Sequence, residues 1–401
     1  MRTHDISHRT PSPTTRHARS RTVRGAVVAA VLATTTSTAL ALAPTTHADD
    51  SGRVTTATAK PVHPLVAKPI VIGHRGAPGY RPEHTQGSYE LASELGADFV
   101  ECDIVSTKDH VLVCRHENDI TGTTDVADHP EFADLETTKV VDGRSITGWF
   151  TEDFTWAQLQ TLRAKERLPD VRPANTAYNG VWSVPSFDQY LDIIAAESRK
   201  LGRPIGVYPE TKHPTYFDSI GLSLEEPMLR ILKAHGLAHA TKRVFLQSFE
   251  QSNLRELNRK TDLPLIQLMD SSGGPYDQTA AGHPVTYAQL ATKKGLKSIS
   301  RYADGVGPNK DLVIPRDANG FLTQPTDLVR NAHRDKMLVH IFTMRNENQF
   351  MAKDFWIGTD PNAHGDAIAE DKTFLDAGID GFFTDYADTG VAARDQWLSE
   401  N

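Results

Sequence analysis

Eight short runs rich in β-branched and aromatic residues alternate with amphipathic segments across residues 69–401, and this rhythm constrains the fold more than any other feature. The runs fall at 70–74, 99–103, 205–210, 244–248, 265–269, 298–303, 338–343 and 381–385. Helical periodicity occupies 85–95, 187–201, 224–234, 251–260, 287–294, 326–336 and 366–377. Strands that alternate with helices pair in parallel through right-handed crossovers, and eight such units close into a (β/α)8 barrel of the TIM type. A doubly wound open sheet would carry a glycine-rich phosphate turn after its first strand. Gly73-His74-Arg75-Gly76 lacks that spacing.

Two stretches break the rhythm. Residues 111–117 read as a further strand, joined to 99–103 by the polar turn Thr107-Lys108-Asp109-His110 and so expected to form a hairpin with it. If Ser106 faces Val111, Glu101 faces His116, and Cys102 and Cys114 point to opposite faces. A bulge or a one-residue change of register would instead bring Cys102 opposite Cys114 and allow a bridge. The second stretch, 118–184, is rich in Thr, Asp, Pro and Trp and ends before Ser186, a helix N-cap. It reads as an insertion that caps the barrel mouth.

Residues 1–48 read as a secretory signal peptide. Six arginines precede an uncharged, largely apolar run that ends in Thr46-His47-Ala48, a small-residue cleavage site. The run is rich in Ala and Thr and falls short of the ~20 strongly apolar residues that span a bilayer. The pair required for a twin-arginine signal is interrupted as Arg19-Ser20-Arg21, which leaves the export route open. Residues 49–68 read as a flexible lead-in without periodicity. Loss of the leader takes the formal charge from −8 to −13, which disfavours nucleic acid and anionic membrane surfaces as partners. An extracellular destination also favours a bridge between the two cysteines.

Barrel enzymes carry their reactive groups at the C-terminal ends of strands. That rule collects His74, Arg75, Glu101, Asp103, Glu210 and Lys212 from the first three strands, and Gln247, Thr343, Arg345 and Asp385 from later ones. Glu101 and Asp103 are two apart on a strand and share a face, and Glu210 ends the next strand. Three carboxylates without thiolate or imidazole suit a hard cation, calcium in the first place and magnesium as the alternative. A lone carboxylate pair on a strand is more often satisfied by salt bridges, and a lone histidine is more often structural. Two histidines, His74 and His116, beside Arg75 and three carboxylates change that balance. One imidazole can accept a proton while the other donates, and a guanidinium fork matches phosphate oxygens.

His74-Arg75-Gly76-Ala77 with Pro82-Glu83-His84-Thr85, Glu101-Cys102-Asp103, Arg115-His116-Glu117, Tyr208-Pro209-Glu210-Thr211-Lys212, Gln247-Ser248-Phe249 and Phe383-Thr384-Asp385-Tyr386 together resemble the glycerophosphodiester phosphodiesterase family, in its bacterial periplasmic or secreted branch. The resemblance implies hydrolysis of a small glycerophosphodiester to sn-glycerol 3-phosphate and an alcohol. It also implies His74 and His116 as the acid–base pair, and Glu101, Asp103 and Glu210 as metal ligands. Arg75 and Lys212 match the phosphate-binding positions, and Glu83 a carboxylate that orients Arg75. No protein partner is implied.

Two other readings carry their own marks. A phospholipase on the same barrel needs an exposed apolar rim, for which Trp149, Phe150, Phe154 and Trp156 are the candidates. A non-catalytic receptor for phosphate esters needs no paired histidines. Two weaker signals read as plain surface: 360–366 mimics a calcium loop with His364 in a ligand position, and His235 and His239 flank Gly236 at a helix end.

Overall fold

The computed structural model describes residues 62–401. The expected leader, 1–48, and most of the lead-in lie outside the described residues. Among the described residues eleven strands form, in chain order β1 (Ile70–Gly73), β2 (Phe99–Ser106), β3 (Leu112–Cys114), β4 (Thr137–Val141), β5 (Arg144–Gly148), β6 (Gly206–Thr211), β7 (Leu246–Ser248), β8 (Leu265–Met269), β9 (Gly305–Pro308), β10 (Leu338–Met344) and β11 (Gly381–Thr384). Eight of them pair in parallel in the order β1, β2, β6, β7, β8, β9, β10, β11 and back to β1, which closes the barrel.

Side-chain alternation then places the chemistry. Ile72, Phe99, Tyr208, Phe245, Ile266 and Phe383 pack together inside the barrel. The Tyr208 hydroxyl meets His340 Nδ1 at 2.8 Å in the same layer. Two residues further along these strands, on the same face, stand His74, Glu101, Glu210, Gln247 and Asp385. An aromatic floor thus lies one layer beneath a polar layer. The outward-facing residues, among them Val71, Val100, Val207 and Phe382, join the larger core under the helices.

Seven of the eight expected barrel strands form where the pattern puts them; the sixth does not. The run at 298–303 continues the helix Lys293–Ile299, which Thr292 caps by accepting from the Gly295 amide. Leu296, Ile299, Tyr302 and Ala303 are buried at helical spacing, so the 3.6-residue period outweighs the local composition. The strand is instead Gly305–Pro308, whose glycines and proline carry little strand propensity. A Cβ at Gly305 would stand 2.7 Å from Ile266 Cδ1, and one at Gly307 2.6 Å from Leu268 Cδ2. Close approach to β8, not β-branching, selects these residues.

The β2–β3 hairpin also differs in register from the pairing that sets Glu101 against His116. Ile104 pairs with Cys114 and Ser106 with Leu112. Thr107 closes the turn, donating its amide to Val111 O and accepting the Val111 amide at its Oγ1, both at 3.0 Å. His110 at φ +64° supplies the left-handed residue that a three-residue loop requires. In this register Cys102 and Cys114 share a face as diagonal neighbours, their Cα atoms are 5.6 Å apart, and they form a disulfide.

Residues 118–184 hold a series of short 3-10 turns, the β4–β5 hairpin and one helical turn, Trp156–Leu159. They have their own packing, in which the Trp149 indole donates to Phe132 O at 2.7 Å and Phe132 meets Phe154 edge-on. Trp149, Phe150 and Phe154 are buried and Trp156 partly so, which removes them as an exposed rim. No helix among the described residues is long and apolar enough to cross a membrane.

Candidate active site

His74, Arg75, Glu101, Asp103, His116, Glu210 and Lys212 line one cavity of about 310 Å³ at the C-terminal ends of the strands. Gln247, Asp270, Asn309, Thr343 and Arg345 form the wall opposite. Glu83 stands behind Arg75, with both of its oxygens 3.1 Å from Arg75 Nη1. Arg167, from the inserted segment, meets Glu83 at 2.8 Å.

The three carboxylates converge because parallel register sets Asp103 beside Glu210 while Glu101 precedes Asp103 by two on β2. One oxygen from each lies within 4.8 Å of the other two, the only such group among the described residues. Glu101 accepts from the Arg75 amide at 2.9 Å and from Gln247 Nε2 at 2.7 Å. His84, at φ +51°, holds Asp103 Oδ2 at 2.9 Å and is itself held by the Tyr89 hydroxyl. Asp103 Oδ1 is buried with no hydrogen-bond partner.

Burial pushes Glu101 well above the usual carboxylate range, with Asp103 and Glu210 adding repulsion. Burial likewise lifts Glu210 to about 8, against the pull of Lys212 at 2.8 Å. Asp103 is buried too, yet Lys212 and His84 outweigh that and hold it well below its ordinary value. Two buried carboxyls pushed toward protonation around an orphaned oxygen form a donor set that a divalent cation would fit, since it would relieve their mutual repulsion and take the free lone pair. Glu101, Asp103 and Glu210 are the residues to hold it.

Both histidines are neutral by environment. Burial, with Arg75 nearby, lowers His74 to about 4 although Asp385 opposes the shift. Burial, Arg75 and Lys212 lower His116 to about 3. His74 donates from Nδ1 to Asp385 Oδ1 at 2.6 Å, so its Nε2 is an acceptor, and Arg75 Nε lies 3.2 Å from it. His116 Nδ1 is 2.8 Å from Glu117 Oε1. An acceptor nitrogen, a second imidazole, two cations and a carboxylate cluster that would hold a metal ion suit proton transfer around a phosphodiester.

Asp385 stands among the strand-end residues that the barrel rule collects, but its partners are not visible in the sequence. Its Oδ2 accepts from Arg172 Nη2 at 2.6 Å and from Arg345 Nε at 2.9 Å. Arg172 lies in the inserted segment, is buried, and also binds Glu347 Oε1 at 2.6 Å and Pro78 O at 3.0 Å. The two weaker signals remain separate from the site. His235 meets Asp188 and His239 approaches Asp262, while Asp360 and Asp366 act in a loop and as a helix cap.

A (β/α)8 barrel with a cluster of three carboxylates, paired imidazoles and two cationic side chains at its C-terminal rim defines a phosphoester-cleaving class of enzyme. Residues 74–389 match the glycerophosphoryl diester phosphodiesterase family, and the chain belongs to that family. A glycerophosphodiester phosphodiesterase of Arabidopsis thaliana is 37% identical over 342 residues, covering 82% of this chain and 86% of the relative. One of Haemophilus influenzae is 29% identical over 345 residues, covering 80% and 88%. Among solved structures, a putative glycerophosphoryl diester phosphodiesterase from Silicibacter pomeroyi shares the fold at TM-score 0.55 and 19% identity, covering 85% of this chain and 95% of that one. An Oleispira antarctica phosphodiesterase, solved with the product sn-glycerol-3-phosphate, does so at TM-score 0.51 and 16% identity, covering 82% and 97%.

Proposed function

We propose that this enzyme hydrolyses small glycerophosphodiesters, such as glycerophosphocholine or glycerophosphoethanolamine, to sn-glycerol 3-phosphate and the free alcohol. The observation that carries the reading is the meeting of seven residues from four adjacent strands and their loops, His74, Arg75, Glu101, Asp103, His116, Glu210 and Lys212, on one cavity. Arg75 and Lys212 bind and orient the phosphate oxygens. One of the two imidazoles takes the proton from the attacking hydroxyl of the glycerol moiety at its free Nε2, and the other, which takes up a proton as the anionic phosphodiester binds beside it, gives that proton to the leaving alcohol. Water then opens the resulting cyclic phosphate with the roles reversed. A divalent cation on Glu101, Asp103 and Glu210, calcium in the first place and magnesium otherwise, supplies neutralisation of phosphoryl charge and a more acidic nucleophile when bound.

The inserted segment 118–184 acts in this reading as a cap that shapes the cavity for a small head group; Arg167, Arg172 and Asp142 supply its contacts with the strand ends. The enzyme is exported after removal of residues 1–48, as in the secreted bacterial branch of the family. The disulfide beside the site supports that destination, because such bridges persist in oxidising compartments.

The test is release of glycerol 3-phosphate from glycerophosphocholine in a dehydrogenase-coupled assay, with calcium, with magnesium and with chelator. Metal-dependent release that disappears in His74→Ala and Glu101→Ala is expected. A folded protein that releases nothing under any metal would overturn the substrate assignment, and a His116→Ala variant that binds but no longer turns over would exclude a receptor role.

A further inference from the structure

A second groove, of about 570 Å³, shares His116, Glu210 and Lys212 with the catalytic cavity and runs toward the turn between β4 and β5. Along its wall four side chains alternate as imidazole and carboxylate. His116 Nδ1 lies 2.8 Å from Glu117 Oε1, Glu117 Oε2 lies 3.0 Å from His213 Nε2, and His213 Nδ1 lies 2.7 Å from Asp142 Oδ2. Asp142 and His213 both sit at φ +49°, a backbone conformation that residues with a Cβ seldom adopt and that persists where surrounding contacts enforce it. Neither residue belongs to the acid–base pair, the carboxylate cluster or the phosphate-binding cations.

Hydrogen-bond inventory fixes the protons in this chain of groups. An ionised carboxylate only accepts, so His213, with a carboxylate at each ring nitrogen, donates from both and is an imidazolium. Glu117 accepts from His213 and must also accept from His116, so His116 carries its proton on Nδ1 and presents Nε2 with a free lone pair. The shifts agree: its two carboxylate partners outweigh burial and raise His213 to about 9, while bonds to both histidines hold Glu117 far below its usual range.

We propose that His213 is a positioning residue for this enzyme: clamped between Asp142 of the insertion and Glu117, it fixes His116 as the Nδ1–H tautomer, with Nε2 ready to accept the proton of the attacking hydroxyl. The proposal rests on His116 belonging to the acid–base pair. It gives the β4–β5 turn a part in the chemistry, because that turn delivers the carboxylate at the far end. No atom of the insertion needs to touch substrate for the effect.

The test combines kinetics with a direct reading of the tautomer. His213→Asn tolerates the left-handed backbone but is uncharged and too short to span the carboxylates that lie at opposite sides of the imidazole, whereas His213→Arg keeps the charge and has donors enough for both. Turnover of glycerophosphocholine by His213→Asn and by Asp142→Asn is expected to fall at least tenfold with KM within about twofold, and His213→Arg is expected to recover most of it. In parallel, long-range 1H–15N spectra of 15N-histidine protein, with His116 assigned from the His116→Gln difference, are expected to show a protonated Nδ1 that becomes a tautomer mixture in His213→Asn. An unchanged kcat, a loss confined to KM, or an unaltered His116 tautomer would each overturn the proposal. If the unmodified enzyme released no glycerol 3-phosphate, the substrate reading would fall, and the spectra would still decide the proton arrangement.

Discussion

Removal of the Cys102–Cys114 bridge tests how the hairpin carries the site. The bridge closes a loop of twelve residues in sequence, and closing a loop of that size restrains the unfolded chain by about 3 kcal/mol. Unfolding entropy of about 2 cal/mol/K per residue, over the 340 residues from 62 to 401, converts this to a fall in Tm of about 4 °C. The paired variant Cys102→Ala, Cys114→Ala should show that fall in a thermal melt, and the unmodified protein melted with a phosphine reductant should approach it. The paired variant itself should not respond to reductant. Cys102 stands between Glu101 and Asp103, and the ladder beyond Cys114 continues through the Arg115 amide to Asp103 O at 3.0 Å. Loosening it displaces His116 relative to the carboxylates, so turnover should fall on the order of tenfold at temperatures far below the melt. Melting points within 1 °C and equal turnover would refute the claim that the bridge holds β3 on β2.

Arg172→Met leaves Asp385 and Glu347 buried with one cation fewer, which should cost roughly 3 kcal/mol in denaturant unfolding and lower kcat through His74. Calcium at about 100 times its dissociation constant should stabilise the protein by about 2.7 kcal/mol, and Glu101→Gln or chelator should abolish the gain in Tm. Because Glu210 must lose a proton near pH 8 to bind a cation, that gain should grow between pH 6 and pH 8. His213 is raised in the folded state, so its contribution is full below pH ~6.5 and is lost as pH rises through about 9. With allowance for solvent at the half-exposed Glu117, the stability gap to His213→Asn should be about 2 kcal/mol at pH 6 and should close by pH 10.

Much of this arrangement is legible in the sequence because alternation along a strand is a local rule. Phe99, Glu101 and Asp103 announce an inward face without reference to anything distant. The misplaced sixth strand marks the limit of that rule, since Gly305 and Gly307 are chosen by the side chains of β8. The hairpin register escaped for a similar reason: it depends on His110 taking up a left-handed backbone inside the turn. His84 stands within a recognised motif, yet its hold on Asp103 spans 19 residues, and Arg172 reaches Asp385 across 213. Contacts of that range are settled by folding, and a buried arginine in a loop rich in Pro and Asp leaves no periodic trace.

The bond-breaking groups proposed for this enzyme all descend from β1, β2, β3 and β6 or the loops that follow them, one continuous arc of the barrel. The remaining arc, from β7 through β11, faces them with Asp270, Asn309, Arg345 and Gln349. The far arc also reaches back to that edge, where Gln247 holds Glu101 and Asp385 holds His74. A loop exchanged on the far arc, by descent or by design, therefore leaves the cutting edge intact only where those two contacts are kept.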